Sequence, residues 1–204
     1  MRNIAKTCAI LFLSLGCILP TAAQAAPPVN GLASLAKKHS ARPFIQTRGF
    51  AMAPMGFVRL CMEEPRECEA PATYQKIVSA DVDVMATLKR VNRIVNRQIT
   101  ANNDDMTNDA LGDRWSASVT SGDCEDYALA KRRMLIAEGL SPAALRIAVG
   151  YTRRGVGHAT LIVRTARGDI VLDNRFDSLR LWNRTDVRWV SIQSSQDPRI
   201  WERL

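Results

Sequence analysis

Cys124 lies in "SGDCEDYALAKRRMLIAEGL" (121–140), between the carboxylates of Asp123 and Glu125 and at the mouth of a predicted helix. A thiol in that position has four readings: packing, half of a disulfide, a metal ligand or a nucleophile. The nucleophile is the thiolate, and a thiol of ordinary pKa, about 8.5, supplies only a few per cent of it at neutral pH. A helix N-terminus and an adjacent imidazole each favour the charged form. Cys124 has the first if Asp123 is the N-cap. For the second the chain offers two histidines, His39 in a Pro- and Gly-containing N-terminal stretch and His158 at the start of "HATLIVRT". A single histidine read alone is more often structural; a spare thiol elsewhere in the chain brings the catalytic reading level with it.

A catalytic imidazole usually has a carboxylate behind it to orient it. Asp173 closes the apolar run "DIVLD". In an antiparallel hairpin that pairs Arg164 with Asp169, Asp173 falls opposite Thr160, which shares a face with His158, and the two become diagonal neighbours. A tight turn at Arg167-Gly168 would instead set Asp173 opposite Ile162, out of direct reach. Asp173 is equally well read as a strand-end carboxylate opening a turn with Asn174.

The cysteine count bears on Cys124. Residues 1–25 read as an export signal: Arg2 and Lys6, then the apolar "TCAILFLSLGCILP", then small residues at Ala23 and Ala25, with cleavage expected after Ala25. A lipid attachment through Cys17 is the weaker reading, because Ser14 stands where such a site wants Leu or Val. Cys8 and Cys17 leave with that leader, and Cys61, Cys68 and Cys124 remain. An oxidising compartment pairs thiols where geometry allows. "CMEEPREC" spaces Cys61 and Cys68 seven apart around a proline, a length that can loop back, and their pairing leaves Cys124 free. A free thiol outside the cytoplasm is open to oxidation and asks for a reason.

These residues need elements to position them. Residues 26–50 show little periodicity and read as a loosely held arm, with one domain over 51–204. "PMGFVRLCMEEPRECEAP" (54–71) reads as irregular and stapled. Apolar residues at 84, 88, 91, 95 and 99 predict a helix capped by Ser79 or Asp81. "DDMTNDALGDRW" reads as a polar connection. The cysteine helix follows and stops at Gly139, with Ser141-Pro142 beyond. Strands are predicted at 145–151, 158–165, 169–174 and 187–193. Helices first and strands after predict an α+β fold with an antiparallel sheet. After the leader no segment approaches the roughly 20 apolar residues of a membrane span. The net charge of +8 comes from scattered arginines, with pairs at 132–133 and 153–154, rather than from a stripe. A soluble basic surface is therefore expected, not a nucleic-acid site.

The order Cys, His, Asp in "GDCEDYALAK" and "GHATLIVRTARGDIVLDN", with a late Trp, resembles the bacterial transglutaminase-like cysteine peptidases, the LapG-type periplasmic proteases, over roughly residues 75–204. The resemblance implies a papain-like core, the cysteine helix packed on an antiparallel sheet. It implies Cys124 as nucleophile, His158 as general base and acid, and Asp173 as orienter. It also implies Ca²⁺ at Asp123 and Glu125, a large surface adhesin as substrate, release of cells from biofilm, and an inner-membrane receptor that sequesters the enzyme. The "CMEEPREC" loop and the Arg-rich 146–188 region depart from the family pattern.

Electrostatics bears on the same acids. Asp123 and Glu125 would raise the Cys124 pKa by like-charge repulsion unless a cation neutralised them. Alternatively Asp123 caps the helix and Asp126 completes a capping box. With the triad active, Cys124 should be the one thiol that alkylates, with a pKa below the free value. The Cys124 backbone N–H is a natural oxyanion donor; the Trp115 indole is a second candidate, better read as core. The expected activity is an exported cysteine endopeptidase working through a thioester. A transglutaminase or amidase sharing that first half-reaction, and a non-catalytic periplasmic binding module with a vestigial triad, stay open.

Overall fold

The computed structural model describes residues 43–72, 75–104 and 112–204. The leader at 1–25, most of the N-terminal arm and His39 lie outside the described residues.

The helix α2 (Val82–Gln98) forms where its apolar stripe predicts. Asp81 is the N-cap, its carboxylate accepting the Val84 N–H at 2.8 Å. Leu88, Val91 and Val95 face inward and Ile99 follows them. Helix α3 (Cys124–Ala137) is buried on most sides, including Tyr127, Leu129, Lys131 and Leu135. It packs between α2 and the sheet. Gly139 ends it with φ +89°, a backbone conformation that disfavours any side chain, and the Leu140 N–H returns to the Leu135 carbonyl at 3.0 Å.

The sheet contains β1 (Phe50–Ala51), β4 (Leu145–Tyr151), β5 (Gly157–Thr165), β6 (Gly168–Leu172), β7 (Arg180–Leu181), β8 (Arg188–Gln193) and β9 (Trp201–Arg203). Its spatial order is β1-β9-β8-β4-β5-β6-β7, antiparallel throughout. A separate parallel pair joins β2 (Thr100–Ala101) to β3 (Ser121–Gly122). The four strands expected from the sequence are β4, β5, β6 and β8. The class is the expected one, α+β with the cysteine helix against an antiparallel sheet.

Alternation sorts the strand residues onto two faces. Leu145, Ile147, Leu161, Val163, Ile170 and Leu172 meet the helices in the main core. On the other face Ala148, Ile162, Val171 and Ile192 form a smaller cluster with Ile45. Ile45 belongs to the stretch read as a loose arm, and that stretch is tied down where it is described. The Ile45 N–H donates to Asp169 Oδ2 at 2.7 Å, and the Asp169 N–H donates to the Pro43 carbonyl at 2.8 Å. Arg164 holds the same carboxylate with two bonds of 2.9 and 2.8 Å.

One local expectation is corrected. Residues 54–71 are not irregular: α1 (Met55–Glu63) is a nine-residue helix, followed by a 3₁₀ turn at Pro65–Cys68. Its intrinsic signal is weak, with Gly56 in the first turn, and tertiary packing supplies the rest. Phe57 and Leu60 are buried, and Phe57 sits edge-on to Trp115 (5.6 Å) and Trp201 (5.5 Å). Gly56 is needed because a Cβ there would lie 2.4 Å from the Trp115 ring. The Cys61–Cys68 disulfide joins the helix to the turn. Closing so short a loop contributes about 2–3 kcal/mol.

Candidate active site

Cys124 is the first residue of α3 and the free cysteine among the described residues. The strand pair β2–β3 delivers the chain to that point, and Gly122 lets it turn in tightly. A Cβ at Gly122 would lie 2.0 Å from Asp126 Oδ2. Asp126 accepts the Asp123 N–H at 3.2 Å and the Ser116 N–H at 2.8 Å, so it fastens the first turn from inside. The Cys124 sulfur faces β5, where it accepts the Ala159 N–H at 3.2 Å.

His158 precedes Ala159 on β5, and its Nε2 lies 3.0 Å from Asp173 Oδ1. The hairpin register decides this contact. Arg164 pairs with Asp169 and Leu161 with Leu172, so one further step sets Asp173 opposite Thr160. The turn is nevertheless tight: Thr165 pairs with Gly168 around Ala166-Arg167. Gly168, at φ +137°, has the Pro43 carbonyl 2.8 Å from where a Cβ would stand. Cys124, His158 and Ala159 line one open cavity of about 530 Å³. The three residues singled out from the sequence therefore meet in one place. With Nε2 donating its proton to the Asp173 carboxylate, Nδ1 is the ring nitrogen free to accept one.

Four residues missed by sequence reasoning hold Asp173 and the turn that follows it. Arg175 grips its Oδ2 at 2.8 Å and in turn reaches Asp186 Oδ1 at 2.8 Å. Asn96 donates to the Asp173 carbonyl at 3.2 Å, and Asn92 to the Phe176 carbonyl at 2.8 Å. The two asparagines are four apart on α2, at the margin of its apolar stripe, and that pairing was the available signal. Burial alone would raise the Asp173 pKa, but the bonds from His158 and Arg175 outweigh it and hold the carboxyl well below the usual range.

The cysteine side has the opposite electrostatics. Ligand atoms of Asp104, Asp113 and Glu125 lie within 4.8 Å of one another, and those of Asp123, Cys124 and Glu125 do likewise. Asp104 and Asp113 come from the stretch read as a polar connection; nothing in their spacing marks them. Asp123 Oδ1 and Glu125 Oε1 are buried without a hydrogen-bond partner. Burial first, then the Asp123 carboxylate, pushes Glu125 up to about 10. Burial also pushes Asp126 up to about 6, against its two N–H bonds. The thiol donates to Glu125 Oε2 at 3.2 Å. Burial and the Glu125 carboxylate push its pKa well above the ordinary value. The expected depression of the Cys124 pKa is thus opposed by its surroundings, because burial first and then the acids beside it outweigh the helix terminus.

These acids fit a hard divalent cation. Ca²⁺ takes six to eight oxygens; Asp123 and Glu125, the pair expected from the sequence, are joined by Asp104 and Asp113, and two buried oxygens lack partners. Trp115 belongs to this wall. It is buried, packs against Phe57 and Trp201, and donates its indole N–H to Asp113 Oδ2 at 2.9 Å. The core reading of Trp115 holds, and its N–H is committed to an acid rather than to an oxyanion.

Comparison with known proteins places this geometry. No curated protein matches the chain. Among solved structures it is similar to calcium-bound LapG of Legionella pneumophila, with 26% identity and a TM-score of 0.48 over 53% of this chain and 64% of that one. The EGTA-treated form of that protein gives 26%, 0.46, 53% and 62%. A third LapG structure gives 22%, 0.47, 58% and 68%. The first two matches span less than two thirds of the LapG chain. The family model of the bacterial transglutaminase-like cysteine proteinases matches residues 47–204, most of the chain and all of the site described above, and the chain belongs to that family.

Proposed function

We propose that this chain is an exported, calcium-dependent cysteine endopeptidase that acts on a periplasmic or cell-surface protein, with Cys124, His158 and Asp173 as its triad. The observation that carries the reading is the His158–Asp173 bond of 3.0 Å beside a sulfur that touches the next residue of the same strand. In the first step the Cys124 proton passes to His158 Nδ1 and the sulfur attacks the scissile carbonyl carbon. The oxyanion that forms meets the Cys124 backbone N–H, one of the unpaired donors of a helix N-terminus. Collapse of that intermediate breaks the C–N bond, and His158 gives its proton to the leaving amine. Water, losing a proton to His158, then hydrolyses the thioester, releasing a carboxylate and restoring the thiol. Asp173 keeps the imidazole oriented and stabilises its charged form.

Asp104, Asp113, Asp123 and Glu125 would hold the calcium. Bound there, the ion neutralises the acids and turns the local field in favour of the thiolate. Export is supported by the leader pattern at 1–25 and by the Cys61–Cys68 disulfide. A large surface adhesin is the proposed substrate, and an inner-membrane receptor the proposed regulator. The test is mass spectrometry of proteins shed by cells that carry the wild-type chain, the Cys124→Ala chain or none. A surface protein shed with a new terminus by the wild type alone supports the reading. Identical shed fractions, together with amine incorporation by the purified chain, would replace proteolysis by acyl transfer.

A further inference from the structure

The arginine pair at 153–154 is a feature that the triad leaves unused. It sits in the turn between β4 and β5, a few residues before the catalytic histidine. That turn is firmly built: the Thr152 N–H donates to the Val156 carbonyl at 2.8 Å, and the Gly155 N–H to the Thr152 carbonyl at 2.9 Å. Arg153 and Arg154 are exposed, and neither has a carboxylate partner among the described residues. They line a second cavity of about 560 Å³ with Thr152, His158, Arg175 and Asp186. Most of the chain's other arginines near acids are paired, as Arg59, Arg133, Arg146, Arg164 and Arg199 are.

The two cavities share Val156, Gly157, His158 and Arg175, so they form one trough. Cys124 lines the first cavity only, the arginine pair the second only, and His158 lies between them. The direction of a bound peptide follows from the chemistry. His158 must deliver its proton to the leaving amine, so the imidazole stands on the leaving-group side of the sulfur. What lies beyond His158 therefore meets residues C-terminal to the scissile bond. The charge there is positive. Asp186, the carboxylate in that lining, is already spent on Arg175 at 2.8 and 3.2 Å. Arg153 and Arg154 are left as two forks that match a carboxylate geometrically.

We propose that this pocket is a substrate subsite that selects acidic side chains just C-terminal to the scissile bond. The inference rests on the proteinase reading of Cys124 and His158 and adds a specificity to it. The experiment is cleavage of a proteome-derived peptide library by the full chain with calcium, the cut sites being read by mass spectrometry. Asp and Glu should be enriched in the first few positions after the cut. In the Arg153→Ala/Arg154→Ala double variant that enrichment should vanish. For one cleaved peptide made with Glu or with Gln at the enriched position, the wild-type KM should favour Glu by about tenfold, a preference that shrinks as salt is added. The double variant should bring that ratio to about one, and Arg153→Glu/Arg154→Glu should favour Lys. Library cleavage with no acidic enrichment, or with the same enrichment in the double variant, overturns the proposal. If neither wild type nor Cys124→Ala cuts the library, the proteinase reading itself fails. The subsite is then judged by binding of fluorescent peptides carrying Glu-Glu or Gln-Gln pairs to the Cys124→Ala chain. Equal affinities overturn it, and a Glu preference lost with both arginines supports it.

Discussion

The two walls of the catalytic trough are built on opposite electrostatic plans. On the β-sheet side the charges behind the imidazole form a closed chain: His158 meets Asp173, Asp173 meets Arg175, and Arg175 meets Asp186. On the α3 side Asp104, Asp113, Asp123 and Glu125 face one another, two of their oxygens are buried without a partner, and the thiol shares its proton with one of them. The first wall is complete as the chain folds. The second has the acids and the free oxygens that a bound cation would satisfy. The Cys124 sulfur sits on the acidic wall, so in the proposed calcium-dependent mechanism a cation would govern its ionisation while the imidazole is oriented by the chain's own residues.

The largest effects should come from breaking the pair that spans the two walls. Cys124→Ala and His158→Ala should each reduce proteolysis to background, because nucleophile and base act as a unit. Asp173→Asn should fold and cut more slowly, by up to about 10⁴-fold, since an amide holds the ring but does not stabilise the imidazolium. Turnover of the His158→Ala chain at the wild-type rate would refute the mechanism outright.

Removing the cation should affect one wall only. Chelation should abolish activity, Ca²⁺ should restore it, and Mg²⁺, which sheds water reluctantly, should restore it poorly. Chelation should also lower the melting temperature. Glu125→Gln is the sharper probe: it keeps the shape, removes the carboxylate that would face a bound calcium, and should cost the calcium-dependent rise in melting temperature without harming the fold. Because burial pushes Glu125 up to about 10, the metal-free native chain holds a proton there at neutral pH. Calcium must displace it, so affinity should rise with pH and calorimetry in different buffers should detect proton release. If a chelated wild type and Glu125→Gln both cleave at the untreated rate, the acids are structural and the comparison between the walls collapses.

The sheet-side wall was the more legible of the two in the sequence. Apolar runs located β4, β5 and β6, an alternating one located β8, and one of the two hairpin registers left open connected Asp173 to His158. Cys124 stood out by elimination and by its helix-start position. Asp104 and Asp113 could not be found that way, because a loop brings them to Glu125 and no periodicity governs where a loop folds back. Arg175 and Asp186 were hidden for a related reason: they hold a turn, and turns report their local residues but not their distant partners. Helix α1 was missed because its propensity is poor and its existence depends on Phe57 finding Trp115 and Trp201. The docking of Ile45 through Asp169 was equally a matter of tertiary contact.

A smaller effect should come from loosening the paired wall. Arg175→Ala leaves the His158–Asp173 bond in place but removes the guanidinium that fixes the carboxylate. The Asp173 pKa should rise toward the ordinary range, and turnover should fall about tenfold, less than for Asp173→Asn, with the acid limb of the rate profile shifted upward in pH. A profile that superimposes on the wild type would show that the asparagine clamp alone suffices.

The smallest effect concerns stability and a buried cation on α3 that bonds a carbonyl rather than a carboxylate. Lys131 is fully buried on α3, with its Nζ 3.4 Å from the Leu172 carbonyl and 5.8 Å from the Tyr127 ring. Burial pulls its pKa down to about 7, while Asp173 and Asp177 pull the other way. The unfolded chain holds that proton up to about pH 10.4. Between these values the unfolded state binds more protons than the native one, so this group makes the protein more stable as pH rises from about 7 toward 10, and its full cost is felt below 7. The slope is at most about 1.4 kcal/mol per pH unit. Lys131→Met fills a similar volume without a charge and should remove the slope. Urea unfolding of both chains at pH 7.5 and pH 9.5 isolates it, since all other titrations cancel in the difference. The wild type should gain on the order of 2 kcal/mol on the variant over that interval. Parallel stability curves would mean that Lys131 stays charged in the core, held by Asp173 more firmly than its carbonyl contact suggests.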